Sequence, residues 1–412
     1  MRFFERRRGI DLHPLYPCIS SNHQNMDGFG TPPPAAAATS AVLDDDDLLG
    51  EILLRVAFPT SLVHAALVCK RWLGLASDPV FLHRFRDLHP PRLLGFYVRT
   101  TGRKPPQFVP VPQPPELAAV GRSPNIDLGT LGSDSPPRSL YVDCWNDLLL
   151  LTSFMDTNEP KRIVRCPLYP ARYTTILPPV PDSSFHDGFT YDEGEIILDG
   201  GGDGLSSFYL ALASKGQQTA VHVYVEITGI SLQFPSLIGD GKVYNLASVG
   251  KIDKLFVLDL ASSSLSLVNL PEEALPWRGR LSLADHSGVH LINVKDLEIR
   301  IWLHKMDSNG VPNWFLANTI CLREIFGNHM IPIHMLVDVD DYYLAVHAVG
   351  FNAEFLFIEI DDVLYLVDIK CKVLKKVYEM TQEDTYFYTV SPFMMVSPPK
   401  FPVMKEGCDL KE

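Results

Sequence analysis

The sequence has no Cys-x-x-Cys pair, no apolar run of membrane-spanning length and no excess of positive charge, and each absence removes a class of function. The seven cysteines (Cys18, Cys69, Cys144, Cys166, Cys321, Cys371 and Cys408) are scattered rather than framed. An odd, dispersed set reads as reduced thiols in the cytosol or nucleus. The N-terminal MRFFERRRGIDLHPLYP carries basic residues but no apolar stretch long enough for a secretory leader. The longest strongly apolar run, the leucines at 148–151, is far short of a bilayer span. A soluble protein of the cytoplasm or nucleus, with no membrane partner, is the expectation. A formal net charge of −13 argues against a nucleic-acid partner, because phosphate contacts need a basic surface. Gly-x-Ser-x-Gly, His-Glu-x-x-His and any Cys/His arrangement with an orienting group are also missing, so no catalytic residue, cofactor or metal is expected.

What is present is an ordinary globular composition, 46% hydrophobic and 21% charged over 412 residues, enough for two or three domains with real cores. Residues 1–40 have little patterning and end in TPPPAAAATS, which cannot bury a core and reads as a disordered tail. Met26 opens a stretch, MDGFGTPPP, that serves equally well as a start. The arginines at 6–8 read as solvated charge rather than a nuclear signal.

From residue 43 the period becomes helical. In LDDDDLLGEILLRVAF, Leu48, Leu49, Ile52, Leu53 and Val56 recur at helical spacing, and Asp44–Asp47 stand at the N-terminus, where capping and the helix dipole favour negative charge. Capping explains this cluster more simply than a cation site. SLVHAALVCKRWLGLAS predicts a second helix, capped by Thr60 or Ser61, with Leu62, Ala66, Leu67, Cys69 and Trp72 inside; Cys69 reads as a small packed residue. Asp78-Pro79 sets an N-cap and a first-turn proline for a third helix, which Pro90-Pro91 stops. Three short helices are a small core for so many apolar side chains, and the surplus marks a partner surface. Leu49 and Val56 are expected to stay in the unit's own core.

After Leu94 the character changes to strands, with residues 103–138 read as a long loop. Short apolar segments follow, broken by Gly, Pro, Asp and Ser: SLYVDC, DLLLLTSF, GEIILDG, AVHVYVEI, KVYNLAS, LFVLDL, LEIRIWLH, YYLAVHAV, FLFIEI and VLYLVDI. Helical period returns only in CLREIFGN near 321. One plan recurs. LFVLDLASSSLSLVNLP (255–271) and LYLVDIKCKVLKKVYEM (364–380) each run as an apolar strand ending in Asp-Leu or Asp-Ile, a short turn and a second strand, and IVRCPLYPARYTTILPP (163–179) has the same shape. Recurrence at about 100 residues fits alternate blades of a propeller, whose blades take roughly 40–50 residues; an open β-sandwich with recurring hairpins is the alternative.

The helical block resembles the F-box of plant proteins. The resemblance rests on Leu43, Asp46, Leu48, Leu49, Glu51, Ile52, Leu53 and Arg55, then Ser61-Leu62, Leu67-Val68-Cys69-Lys70-Arg71-Trp72 and Ser77-Asp78-Pro79-Val80-Phe81. VCKRW followed by SDPVF is the specific part. The chain departs from the pattern at Asp44, where the family opens Leu-Pro, and at Pro59, which follows an extra Ala-Phe pair. The remainder is similar to the F-box-associated β-propeller-like domain, through YVDCWNDLLLL, VRCPLYP, FHDG and LFVLDLASSSLSLVNLP, with Asn146-Asp147 where the family has Asn-Gly. The implied fold class is α+β multidomain: a disordered tail (1–40), a small three-helix F-box (41–90), a loop-rich connection (91–138), an all-β propeller-like domain (139–396) and a flexible tail (397–412).

The resemblance implies a non-catalytic, substrate-recruiting subunit of a Skp–cullin–F-box ubiquitin ligase. The F-box would hold a Skp-family adaptor through Leu43, Leu48, Ile52, Leu53, Leu62, Leu67, Cys69 and Trp72, and through it the cullin and RING subunits. The β-domain would hold a protein substrate whose identity the sequence does not show. Two other readings stand beside it: a glycan-binding or enzymatic propeller with an incidental helical prefix, and an F-box scaffold that assembles no ligase. Trp277, Trp302 and Trp314 are candidates for a sugar platform, though blade-packing tryptophans are commoner. His286 and His290 are spaced for a shared metal on a helix, but they flank a hairpin turn at Ser287-Gly288 and read as a surface pair. DGGGDG (199–204) lacks the Lys-Ser/Thr of a phosphate loop and the spaced acids of a calcium loop, and reads as a turn.

Overall fold

The computed structural model describes residues 42–101, 106–117, 139–145, 148–154, 161–165, 174–176, 190–199, 206–215, 218–221, 225–226, 230–249, 252–274, 279–284, 288–295, 297–306, 312–326, 344–395 and 401. The expected tails at 1–40 and 397–412 lie almost wholly outside them. The chain divides into two compact units, residues 1–81 and 82–412.

The first unit is helical: α1 (Asp46–Leu54), α2 (Pro59–Ala66), α3 (Lys70–Ala76) and the start of α4 (Pro79–Leu88), which ends in the second unit. The expected second helix is two. Val68 and Cys69 are weak helix formers, and Cys69 takes an extended conformation (φ −160°, ψ 167°) from which α3 starts afresh. The expected cap at Thr60 or Ser61 is corrected as well. Pro59 occupies the first turn of α2, with Phe58 as an N-cap whose side chain makes no capping bond. A proline there loses nothing, because its missing N–H would have had no partner. Asp78 does cap α4, accepting from Val80 N (2.9 Å) and Phe81 N (3.0 Å).

The second unit is built from six antiparallel sheets. The first holds β3 (Ser139–Trp145), β4 (Leu148–Phe154), β5 (Lys161–Arg165) and β6 (Thr174–Ile176) in that order. β7 (Thr190–Asp199), β8 (Ser206–Lys215), β9 (Gln218–Val221) and β10 (Val225–Glu226) make the second, and β11 (Ile230–Gly239), β12 (Lys242–Val249), β13 (Ile252–Asp259) and β14 (Ser264–Asn269) the third. β15 (Arg280–Leu283), β16 (Val289–Lys295), β17 (Glu298–Met306) and β18 (Pro312–Cys321) form the fourth, and β19 (Leu344–Val349), β20 (Phe355–Ile360), β21 (Val363–Asp368) and β22 (Val373–Glu379) the fifth. A short helix, α5 (Leu322–Phe326), follows β18 where helical period returned in the sequence. The sixth sheet joins the two ends of the unit, in the order β2 (Gln107–Pro110), β1 (Leu93–Thr100), β23 (Phe387–Met394).

Each of the first five sheets is a meander, and an edge strand of one sheet touches an edge strand of the next: β7 with β11, β11 with β15, β15 with β19, β19 with β23, and β23 with β3. This is a β-propeller, and it displaces the sandwich alternative, which has two facing layers. The core lies between neighbouring sheets. Ile292, Val294 and Ile301 of the fourth meet Leu344, Val346, Leu356 and Ile358 of the fifth, and Phe357 and Leu364 of the fifth meet Phe96, Val98, Phe387 and Val390 of the sixth. Strands buried on both faces need continuous apolar runs rather than alternation, which is what LFVLDL and FLFIEI are. The segment 91–138 was expected to be a connection; its beginning is instead β1 and β2, paired into the closing sheet.

The recurring plan has a physical cause. The three segments are β13–β14, β21–β22 and β5–β6, the third and fourth strands of alternate sheets. In the first two the repeated aspartate ends the strand and caps the turn: Asp259 Oδ1 accepts from Ser262 N (2.9 Å) and Asp368 Oδ1 from Cys371 N (2.7 Å). The residue after each capped amide, Ser263 or Lys372, closes the turn at φ 52°. The first and second strands of the third sheet use a different turn, Asp240-Gly241, with φ 52° and 67°, the two-residue connection that suits strand twist.

Two predictions follow from these contacts. The Asp259 carboxyl is held below the ordinary carboxylate range, chiefly by the Ser262 N–H and then by its hydroxyl. A lowered folded-state pKa stabilises the fold above the ordinary carboxyl pKa, about 4, and the contribution is lost as pH falls through and below it. Asp259→Asn keeps an acceptor without the charge, so the stability gap between wild type and variant, read by urea denaturation, should narrow from pH 6 to pH 3. Separately, Phe393 is fully buried in the closing sheet, against Tyr97 and Phe108. Phe393→Ala should lower unfolding free energy by about 3–5 kcal/mol, measured by the same denaturation.

Candidate functional site

The helical unit begins with a run of four aspartates whose members have different tasks. Asp45 is the N-cap of α1 and accepts from Leu48 N (2.9 Å). Asp46 meets the Arg71 guanidinium, whose Nε is 2.7 Å from Asp46 Oδ1. Arg71 Nη1 also donates to the Leu43 carbonyl (2.6 Å) and Nη2 to that of Asp44 (2.7 Å). Arg71 lies one residue into α3, so these bonds tie the start of α3 to the start of α1. The ion pair is exposed and adds little energy alone. Its value is directional, because the planar fork fixes residues 43–46 against the turn at 67–69.

That turn and one face of α1 carry four of the eight expected partner residues. Leu48 and Ile52 are 48% and 41% exposed and, four residues apart, lie on one face of α1. Leu67 and Val68 are about two-thirds exposed in the turn, and Cys69 is exposed beside them. Cys69 was expected to be packed; starting a helix from an extended conformation turns it outward instead. Leu43 and Trp72 are half-buried. Leu53 and Leu62 are corrections: both are buried, with Leu49, Leu54 and Ala66, and neither offers surface to a partner. Periodicity finds that α1 is apolar over more than half its circumference, but not which half meets solvent. Leu49 takes the core place expected for it, while Val56 is only half-buried. Val42, Val68 and Val80 were missed as surface residues, although VCKRW and SDPVF contain two of them.

Six of the thirteen large hydrophobic side chains exposed among the described residues lie between Val42 and Val80. This concentration of exposed apolar side chains makes the segment the candidate interaction surface of the described residues.

The β unit holds a second group of functional-looking side chains, which its packing accounts for. Ser282 is buried, donates to the Gly350 carbonyl (2.6 Å) and accepts from Ala353 N (3.2 Å), so its hydroxyl ties β15 to the turn after β19. Arg280 Nε donates to the His347 carbonyl (3.2 Å), and His347 Nε2 lies 2.6 Å from Glu359 Oε2 across β19 and β20. Burial holds the Arg280 guanidinium below its ordinary pKa. The Ser282 and Arg280 contacts join the fourth and fifth sheets, and the His347–Glu359 contact lies within the fifth.

The histidine spacing falls apart in the same way. His290 is buried on β16, a correction to its reading as a surface residue, and His286 lies outside the described residues. Among the described residues there is no cluster of three His, Cys, Asp or Glu with metal-binding geometry, and no helix long and apolar enough to cross a membrane. Trp302 and Trp314 pack with Leu281 and Leu291 between sheets, and Trp314 Nε1 donates to the Asn269 carbonyl (2.8 Å), so both serve packing. Trp277 and residues 200–204 of DGGGDG lie outside the described residues.

No curated relative matches the sequence. Solved structures with some likeness include TolB from Acinetobacter baumannii (10% identity, covering 73% of this chain and 65% of that one, TM-score 0.36). Others are a puromycin hydrolase (11%, 63% and 41%, 0.32) and oligopeptidase B from Trypanosoma brucei with covalently bound antipain (11%, 71% and 48%, 0.33). The matched part spans less than two thirds of each of those three chains. A family model described as "F-box protein AT5G49610-like, beta-propeller" matches residues 141–401, well over half of the chain and the larger part of its propeller. The chain belongs to this family of F-box proteins with a C-terminal β-propeller.

Proposed function

We propose that this protein is the substrate-recognition subunit of a Skp–cullin–F-box ubiquitin ligase, acting in the cytoplasm or nucleus without catalysing a reaction itself. The helical unit docks on a Skp-family adaptor and through it joins the cullin and RING subunits. The propeller holds a protein substrate for ubiquitination. The observation that carries this reading is the apolar surface of Leu48, Ile52, Leu67 and Val68 on a unit too small to bury it. It stands beside the specific VCKRW and SDPVF strings and the family of the propeller. Interface cores of this kind are apolar, with charged groups displaced to a rim. Here Asp44 and Asp47, both exposed, would supply that rim.

The propeller suits the second task. Its sheets form a packed scaffold, and the connections between strands can vary without disturbing it, which is where binding specificity is normally carried.

The test uses exposed positions only. The double change Ile52→Lys, Leu67→Lys should reduce binding to a purified Skp-family adaptor by at least tenfold in a pull-down or calorimetric titration, while the melting temperature stays within a few degrees of wild type. Leu53→Ala is the contrasting case: this buried side chain should cost about 2–5 kcal/mol of stability wherever it acts. Undiminished adaptor binding by the folded double variant would refute the assignment of the surface.

A further inference from the structure

β11, β15, β19 and β23 follow one another in the ring of touching edge strands that surrounds the propeller axis. Between them they hold one permanently charged residue, Arg280, at the start of β15. Leu281 and Leu283 pack toward the third sheet. Side chains alternate along a strand, so Arg280 and Ser282 face the other way, where both are bonded to the fifth sheet.

The charge of Arg280 is not answered there. Its Nε donates to the His347 carbonyl (3.2 Å) and its Nη1 to that of Gly279 (3.0 Å), and both acceptors are neutral. Among the described residues no carboxylate meets the guanidinium, and Nη2 donates to nothing. Burial lowers its pKa, with no carboxylate beside it to hold the value up. Glu359, the buried acid of the fifth sheet, is committed to His347 Nε2 (2.6 Å), and that imidazole packs on Phe387 of the sixth sheet. A charge taken out of water without a partner is costly, and an apolar side chain would fill the same place without that cost. Arg280 also keeps partial exposure, so a ligand can reach it.

We infer that the Arg280 guanidinium binds a carboxylate of the recognised protein at the ring of edge strands. A guanidinium presents paired N–H groups that a carboxylate accepts together. Nη2 and the remaining N–H of Nη1 supply such a pair. The charges match as well: a single cation balances one carboxylate, whereas a phosphate carries roughly two negative charges and asks for a second cation. In so enclosed a place water screens the pair less than it would at the surface. This inference names the chemistry of the substrate, and it rests on the propeller being the part that holds one.

Thermal unfolding of the full chain at constant ionic strength tests it, because a ligand of the folded state raises the midpoint. Three probes are titrated: acetyl-Gly-Gly-Gly as the free acid, acetyl-Gly-Asp-Gly amide and acetyl-Gly-Gly-Gly amide. At least one of the two acids should raise the midpoint and the neutral peptide should not. Which acid acts shows whether a chain terminus or an acidic side chain is taken. Arg280→Met should weaken the apparent affinity at least fivefold, while Lys376→Met, which removes an exposed charge of β22, leaves it unchanged. Arg280→Lys, which keeps the charge without the fork, takes the place of Arg280→Met if that variant does not fold, and should also weaken binding. Acids that act no differently from the neutral peptide would overturn the inference. So would full protection of a folded Arg280 variant. No adaptor is present in this experiment, so its failure leaves the adaptor surface standing, and failure of adaptor binding leaves this site standing.

Discussion

The pairing of β1 with β23 is the contact on which the β unit depends. It brings together segments about 300 residues apart in sequence, and closing a flexible loop of that length costs on the order of 5 kcal/mol in chain entropy. Backbone hydrogen bonds net about 0.5–1.5 kcal/mol each, so the seven paired positions between Leu93 and Met394 contribute an amount of the same order as that cost. Side chains supply the margin. Phe96, Tyr97, Val98, Phe387, Val390 and Phe393 are all buried at this closure, and burying a side chain of that size stabilises by roughly 1.5–3 kcal/mol. The margin by which the closing sheet holds therefore comes from its buried aromatic and aliphatic side chains.

The same requirement explains what the sequence reveals and what it conceals. A strand buried between two sheets must be apolar throughout, and such runs are visible without any structure; LFVLDL and FLFIEI are strands for that reason. The hairpin repeat is visible because its turn needs a short acidic side chain at one place, Asp259 or Asp368, to accept an amide three residues on. β1 and β2 are harder to read. They lie in proline-rich sequence before a long unpatterned stretch, and what makes them strands is a partner at the other end of the chain. No local window contains that information. β15 and β18 pass unnoticed for a related reason: serine, asparagine and alanine are admitted wherever a strand is only partly enclosed.

The helical unit shows where pattern reading stops. Its motif locates the surface, and its capping is legible to the residue at Asp45 and Asp78. The division of α1 into a buried Leu49–Leu53 stripe and an exposed Leu48–Ile52 stripe is not, because both have the same period and nearly the same composition. The break at Cys69 is concealed too. A continuous helix would keep Leu62, Ala66, Cys69, Leu73 and Ala76 on one face, so periodicity favours continuity. What the break provides is a placement for Arg71, whose three bonds to residues 43–46 need the start of α3 beside the start of α1. Long-range hydrogen bonding of this kind overrides local helix preference and leaves no periodic trace.

Both units thus face one constraint, apolar surface that local structure cannot cover, and they meet it differently. Between the sheets of the propeller the surface is covered by the neighbouring sheet, and at its ends by the return of β23 to β1. Among the described residues of the helical unit no neighbour covers Leu67 and Val68, which stand in solvent. The start of α1 is held by polar contacts all the same, because Asp45 caps it and Arg71 bonds the carbonyls of Leu43 and Asp44. Order imposed by polar contacts on an uncovered apolar surface presents that surface in one geometry, which lowers the entropy lost when a partner covers it.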